Sequence, residues 1–136
     1  MANDKKKSYS LEERVSWLKE SAKEDYEAAV LIWKSKRSDW GLFLGQLALE
    51  KLLKGLVLKK TKIAPPYTHN LVILYRKMGW EVNLEILDDL TTISKFNIEA
   101  RYPEIKQELY RKATKEYAKK WMDKIAEYRK WILKQY

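Results

Sequence analysis

Residues 39 to 60 restrict the fold of this chain more than any other segment. Drawn as a helix, the segment carries apolar side chains around most of its circumference: Leu42, Phe43, Leu44, Leu47, Ala48, Leu49, Leu52, Leu53, Leu56, Val57 and Leu58. A helix this apolar has to be covered on more than one side, by the rest of a helical bundle or additionally by a second subunit. We therefore expect it to be the central element of the fold.

The remaining segments also predict helices, because the chain has only four Gly and three Pro and lacks alternating β-branched runs. Ser10 and Glu13 have the spacing of a capping box at the start of a first helix. A second helix ends before Pro65-Pro66, and a short third helix, capped by Thr68 or Asn70, ends at Gly79. The pattern favours an all-α chain.

Two further helices are predicted in the C-terminal half. One begins at an Asn83 cap, and Pro103 disfavours helical geometry at Tyr102, so a break is expected at residues 100–103. The last helix begins at Glu104 or Leu109 and runs to the end of the chain, a length of about 40 Å at ~1.5 Å per residue. Long helices with short connections pack as an antiparallel bundle. We expect a flexible tail over residues 1–10 and a single domain over 11–136.

The composition limits the class of protein. Lys and Arg number 28 against 19 Asp and Glu, and residues 106–136 hold ten basic and four acidic side chains. A basic C-terminal segment favours anionic partners such as nucleic acid, nucleotides or an acidic protein surface, although it also fits a well-solvated helix. Cys is absent, which excludes disulfides and thiolate metal sites. With no signal peptide or membrane-spanning run, the expected location is the cytoplasm.

The polar positions Gln46, Glu50 and Lys54 fall on one stripe of the apolar second helix. One interpretation is a solvated strip in which Glu50 and Lys54 form an i, i+4 ion pair. The other is a polar cleft, lined by Gln46, Glu50 and Lys51, that faces a partner chain or a ligand. Spacing alone leaves both open.

His69 and Arg101 are the other candidates for specific roles. His69, the single histidine, lies between two capping residues, where an imidazole can fasten the loop to the bundle. Arg101 lies in the predicted break, directly before Tyr102-Pro103, and could cap the last carbonyls of a helix or bind a phosphate.

The usual catalytic sets are missing from the sequence. It has no pair of histidines, no Cys and no phosphate-binding glycine loop, so zinc hydrolase, thiol enzyme and P-loop functions are disfavoured and no metal site is expected. Asp88 and Asp89 are adjacent and would point about 100° apart on a helix. Trp121 and Tyr128 fall on the apolar stripe of the last helix, which favours packing over stacking on nucleic-acid bases.

Three separated motifs resemble the HEPN domain family, the nucleotide-binding domain of higher eukaryotes and prokaryotes. They are the helix from Gln46 to Leu56, the turn Thr68-His69-Asn70-Leu71, and the turn Ala100-Arg101-Tyr102-Pro103. The resemblance implies an antiparallel up-and-down four-helix bundle with a short extra helix, usually as a homodimer. Prokaryotic members are commonly encoded beside a small nucleotidyltransferase, in pairs that include toxin–antitoxin systems.

The resemblance also bears on the functional residues. Many HEPN toxins are ribonucleases with an Arg, four to six residues, and then a His. Here Lys106, Gln107 and Glu108 follow Arg101 at those offsets, so the motif is absent and we assign no catalytic residue. The family signature marks ligand or interface candidates at Gln46, Glu50, Lys51, His69, Arg101 and Tyr102.

Three functions remain open at this point. The first is a homodimeric, non-catalytic partner of a nucleotidyltransferase, which presents a nucleotide or an acceptor tyrosine such as Tyr102 or Tyr110. The second is an RNA-cleaving toxin with a variant site built around Arg101 and His69. The third is an RNA- or nucleotide-binding module that uses the basic C-terminal helix. No cofactor is expected beyond a nucleotide ligand.

Overall fold

The computed structural model describes residues 8–99 and 102–136 and contains six helices within them. They are α1 (Leu11–Lys34), α2 (Ser38–Thr61), α3 (Leu71–Lys77), α4 (Leu84–Glu99), α5 (Pro103–Lys112) and α6 (Lys115–Gln135). The described residues form no strand. The predicted all-α fold is confirmed, whereas the flexible tail over residues 1–10 stays a prediction because residues 1–7 lie outside the described part.

Helix α2 occupies the centre and contacts α1, α3, α4, α5 and α6. Its residues Leu49, Leu52 and Leu53 are almost completely buried. Burial of a large side chain of this kind contributes about 2 kcal/mol relative to an exposed position. The apolar circumference of this helix is therefore used inside the bundle, as the sequence predicts.

The four long helices run up and down. α1 and α2 are joined by three residues and form an antiparallel hairpin. α6 is antiparallel to α4, because Asp89 bonds to Tyr128 while Phe96, further along α4, packs on Trp121, which is earlier in α6. α3 and α5 are short helices beside this four-helix bundle, one more than the single extra helix expected.

Most predicted helix starts are confirmed. Ser10 and Glu13 form the capping box of α1, Asn70 caps α3 and Asn83 caps the first turn of α4. Tyr102 has φ −102° and ψ 123°, so the residue before Pro103 is extended and α5 begins at the proline. Ala100 and Arg101, in the predicted break, lie outside the described residues.

The prediction of one continuous final helix is wrong. Ala113 has φ −78° and ψ 58°, which ends α5, and the hydroxyl of Thr114 accepts a hydrogen bond from the Tyr117 amide at the start of α6. Threonine is a good N-cap because its hydroxyl satisfies one of the free amides of the first turn. α6 has 21 residues, which corresponds to about 31 Å.

Candidate functional site

The polar side chains of α2 meet the loop that precedes α3. Gln46 is completely buried and Glu50 is 4% exposed, although both are polar. Burial of such groups is tolerated only where hydrogen bonds replace those to water. The interpretation of this stripe as a solvated strip is therefore wrong for Gln46 and Glu50.

Gln46 is the centre of a hydrogen-bond network. Its Nε2 donates to Glu50 Oε1 at 3.1 Å and to the backbone carbonyl of His69 at 3.0 Å. Its Oε1 accepts from Asn97 Nδ2 on α4 at 3.0 Å. One side chain thus joins α2, α4 and the loop before α3, and both donors and one acceptor position of the amide are used.

The carboxylate of Glu50 is held between two further groups. Lys54 Nζ lies 3.0 Å from Oε2, and His69 Nδ1 lies 2.9 Å from Oε1. The i, i+4 ion pair predicted from the sequence is present, but its carboxylate is inside the protein. With Nδ1 protonated, the imidazole donates to Glu50, and its Nε2 is the nitrogen left to act on another group.

The loop around His69 is fixed at several points. Thr68 Oγ1 accepts from the Asn70 amide, and the amide of Leu71 donates to Ser94 Oγ on α4 at 2.9 Å. The His69 side chain is 46% exposed, so it reaches from the surface to the buried carboxylate. The predicted fastening role of His69 is present, through a carboxylate as well as through its own backbone carbonyl.

Lys51 faces the other way. Its Nζ lies 2.7 Å from Asp25 Oδ2 and 2.7 Å from Ser21 Oγ, both on α1. The structure therefore brings Gln46, Glu50 and His69 together and places Lys51 in a separate contact between α1 and α2. The three residues of the predicted cleft do not share one face.

The second turn of the family signature is described only in part. Arg101 lies outside the described residues, as does the side chain of Tyr110, so their predicted roles stay predictions. Tyr102 directly precedes α5, and its side chain is 56% exposed. Its phenol is thus presented at the surface.

Asn97 is the member of the network that the sequence did not single out. It is 1% exposed and lies on the apolar stripe of α4, where an asparagine is unusual unless it has a partner. An asparagine on an apolar stripe is the sequence signal that points to a buried hydrogen bond here. The signal does not identify the partner, because Gln46 is 51 residues away in the sequence.

The basic C-terminal helix uses part of its charge within the protein. Lys124 pairs with Asp89 and Lys119 with Asp123. Trp121 is buried and packs on Phe96, so its ring is unavailable for stacking on a base. The other basic side chains of α6 take no part in these two ion pairs.

Neither a metal centre nor a membrane span is found in the described part of the chain. No group of three or more His, Cys, Asp or Glu within it is arranged to hold a metal ion. None of its helices is both long and apolar enough to cross a bilayer.

Comparison with known proteins gives a family and a solved structure of similar fold. The crystal structure of TT1696 from Thermus thermophilus is similar, with a TM-score of 0.76 and 20% sequence identity over 90% of this chain and 98% of that one. At this identity the similarity concerns the fold. No curated protein matches the sequence. The model of the HEPN domain matches residues 15–136, nearly the whole chain, and the protein therefore belongs to the HEPN domain family.

Proposed function

We propose that this HEPN protein is the homodimeric, non-catalytic partner of a small nucleotidyltransferase, in a pair of the toxin–antitoxin type. The family supports this proposal, since prokaryotic HEPN proteins are commonly encoded beside such a transferase. In the pair, the HEPN protein presents an acceptor group to the transferase.

The observation that carries the proposal is the exposure of Tyr102 in the signature turn. Its side chain is 56% exposed at the start of α5, where a second protein can reach the phenol. The transferase would join a nucleoside monophosphate from a nucleoside triphosphate to the phenol oxygen. Pyrophosphate would leave, and a base of the transferase would take the phenol proton.

The test is co-expression of the tagged HEPN protein with the transferase encoded beside it. We expect a stable complex on a sizing column, and an intact mass raised by one nucleoside monophosphate. Tyr102→Phe should abolish the gain in mass. Tyr67→Phe is the matched control, because Tyr67 is fully exposed but lies outside the signature turn. Two proteins that elute separately, with no gain in mass, would refute the proposal.

One observation favours a second candidate, the ribonuclease with a variant site. The contact between Glu50 Oε1 and His69 Nδ1 orients a half-exposed imidazole, which is how a carboxylate prepares a histidine for acid–base catalysis. Such a mechanism would use Nε2 of His69.

The two candidates are separated by a substitution at His69. Asn in this position keeps a donor near the place of Nδ1 but has no atom in the place of Nε2. If the wild type cleaves RNA and the folded His69→Asn variant does not, the ribonuclease replaces the partner as the function. If neither protein cleaves RNA, the second candidate is wrong.

A further inference from the structure

A cleft between α1 and α6 is lined by cationic side chains. It has a volume of about 340 Å³. α1 contributes Lys19 and Lys23 together with Ser16, and α6 contributes Arg129. Of the described residues that line it, only Glu20 is acidic. Leu52 of α2 also lines the cleft, but no residue of the Gln46 network does.

The positive charges of this cleft are not neutralised by ion pairs within the described chain. Among residues 8–99 and 102–136, no carboxylate lies within 4.0 Å of Lys19 Nζ, Lys23 Nζ or the guanidinium of Arg129. Lys19 and Lys23 are also four residues apart on one helix. Like charges at that spacing repel each other on a helix surface.

Arg129 provides a second, independent observation. Its guanidinium carbon lies 4.5 Å from the centre of the Tyr26 ring, which holds the group in place. Its Nε is buried, and no described side chain or backbone group accepts its hydrogen. A buried donor without an acceptor costs free energy, so the described part of the protein leaves the guanidinium of Arg129 incompletely satisfied.

A further lysine lies beside the cleft. Lys19 Nζ and Lys59 Nζ lie 5.0 and 5.6 Å from the centre of the same ring, that of Tyr136. The Tyr136 hydroxyl donates to the carbonyl of Leu52, which fixes the ring against α2. Lys59 therefore adds to the positive potential next to Lys19.

We propose that this cleft binds the phosphate group of a ligand. A phosphate offers several charged oxygens to two ammonium groups, to the planar donor fork of Arg129 and to the Ser16 hydroxyl. Lys19 and Lys23 are exposed, so their long side chains can turn towards the anion. The proposal concerns phosphate chemistry, carried by a nucleotide or by an RNA backbone, and it does not rest on the proposed function.

The test uses the HEPN protein alone, titrated calorimetrically with inorganic phosphate at low ionic strength. The cleft variant Lys19→Gln/Lys23→Gln should bind phosphate about tenfold more weakly than the wild type. The matched control, Lys77→Gln/Lys95→Gln, removes the same charge from exposed lysines on α3 and α4 and should retain wild-type affinity. Equal affinity in the wild type, cleft variant and control would overturn the proposal, as would the absence of binding both of phosphate and of the two phosphate-bearing ligands tested below.

Two further arms identify the source of the phosphate. Adenosine monophosphate and a short single-stranded RNA without terminal phosphates are titrated into the same three proteins. Either probe supports the proposal if it binds the cleft variant more weakly than it binds the wild type and the control. The probe that binds in this way identifies the ligand as a nucleotide or as an RNA backbone. Arg129→Lys keeps the charge but removes the fork, and should also weaken binding. These titrations contain no transferase. They therefore remain valid even if the HEPN protein and the transferase form no complex in the co-expression experiment.

Discussion

Asn97 Nδ2 donates a hydrogen bond of 3.0 Å to Gln46 Oε1, across 51 residues of sequence. The bond is completely buried and joins α4 to the central helix α2. Gln46 in turn holds the His69 carbonyl at 3.0 Å, so a single amide connects the bundle to the loop that carries the family signature. The position of His69 therefore depends on a residue in a distant helix.

The first prediction concerns this bond. Asn97→Ala should lower the free energy of unfolding by about 2 kcal/mol, because it leaves a buried acceptor of Gln46 without a donor. In a double-mutant cycle with Gln46→Ala, the double variant should lose about 1 kcal/mol less than the sum of the losses in the two single variants. Urea unfolding measures each value. The control pair, Asn97→Ala with Ser35→Ala at the exposed end of α1, should be additive, and additivity in the first pair would contradict the prediction.

The second prediction concerns the buried carboxylate. Glu50→Ala should lower the free energy of unfolding by about 2 kcal/mol, because Lys54, His69 and Gln46 all lose a partner. The loss stays below that of a fully buried pair, since water reaches Lys54 and His69. Asp123→Ala is the control: it breaks an i, i+4 pair with Lys119 that is exposed at both ends, and should change stability by less than about 0.5 kcal/mol. Similar losses in both variants would show that the burial of Glu50 is unimportant.

The sequence predicts those parts of the fold that depend on local signals. The Ser10 and Asn83 caps and the Tyr102-Pro103 break are visible because capping hydrogen bonds and proline geometry involve residues only a few positions apart. The boundary between α5 and α6 was missed because Leu109, Ala113 and Tyr117 keep a spacing of four across it. Apolar periodicity cannot reveal a break that preserves the period.

The candidate site was predicted less completely, for a related reason. The spacing places Gln46 and Glu50 on one helix face, but it does not say which face the loop before α3 covers. Lys51 is adjacent to Glu50 and therefore points about 100° away, towards Asp25 rather than towards His69. Asn97 joins the site through a contact between distant helices, and a single sequence carries no signal for such a pair.

The third prediction concerns the close approach of α2 and α6. A Cβ at Gly45 would lie 2.7 Å from Cδ1 of Ile125, whose side chain is fully buried, so the side chain or one of the two helices has to shift. Gly45→Ala should therefore lower the free energy of unfolding by about 1 kcal/mol. In a helix where nothing obstructs the added Cβ, replacement of glycine by alanine would instead raise it by about as much.

Ile125→Val tests this explanation, since valine lacks the Cδ1 atom. In the Ile125→Val background, adding Gly45→Ala should raise the free energy of unfolding, because the clash is removed and the helix propensity of alanine remains. Thermal and urea unfolding of the four proteins measure the cycle. A Gly45→Ala variant more stable than the wild type would contradict the prediction, because it would show that the contact with Ile125 is relieved at little cost.

The fourth prediction concerns stability in alkaline solution. Burial, together with the hydrogen bond to Asp89 Oδ2, holds the pKa of Tyr128 well above its ordinary value of 10.0. Hydrogen bonding to Asp89 also raises the pKa of Lys124, and burial raises that of Tyr136. In the folded protein these groups keep protons that the unfolded chain releases above about pH 10. The folded state then binds more protons, so stability must fall as the pH rises through this range.

Tyr128→Phe removes one of these groups and isolates its contribution. At about pH 8 the variant should be less stable than the wild type by about 1 kcal/mol, because its hydrogen bond to Asp89 is lost. Between about pH 8 and about pH 10.5 its free energy of unfolding should fall less steeply, since the variant has no phenol to release a proton at position 128. Urea unfolding at the two pH values measures both effects, and Tyr136→Phe provides an independent second case. If the free energy of unfolding falls as steeply in Tyr128→Phe as in the wild type, the Tyr128–Asp89 contact does not cause the loss of stability in alkaline solution.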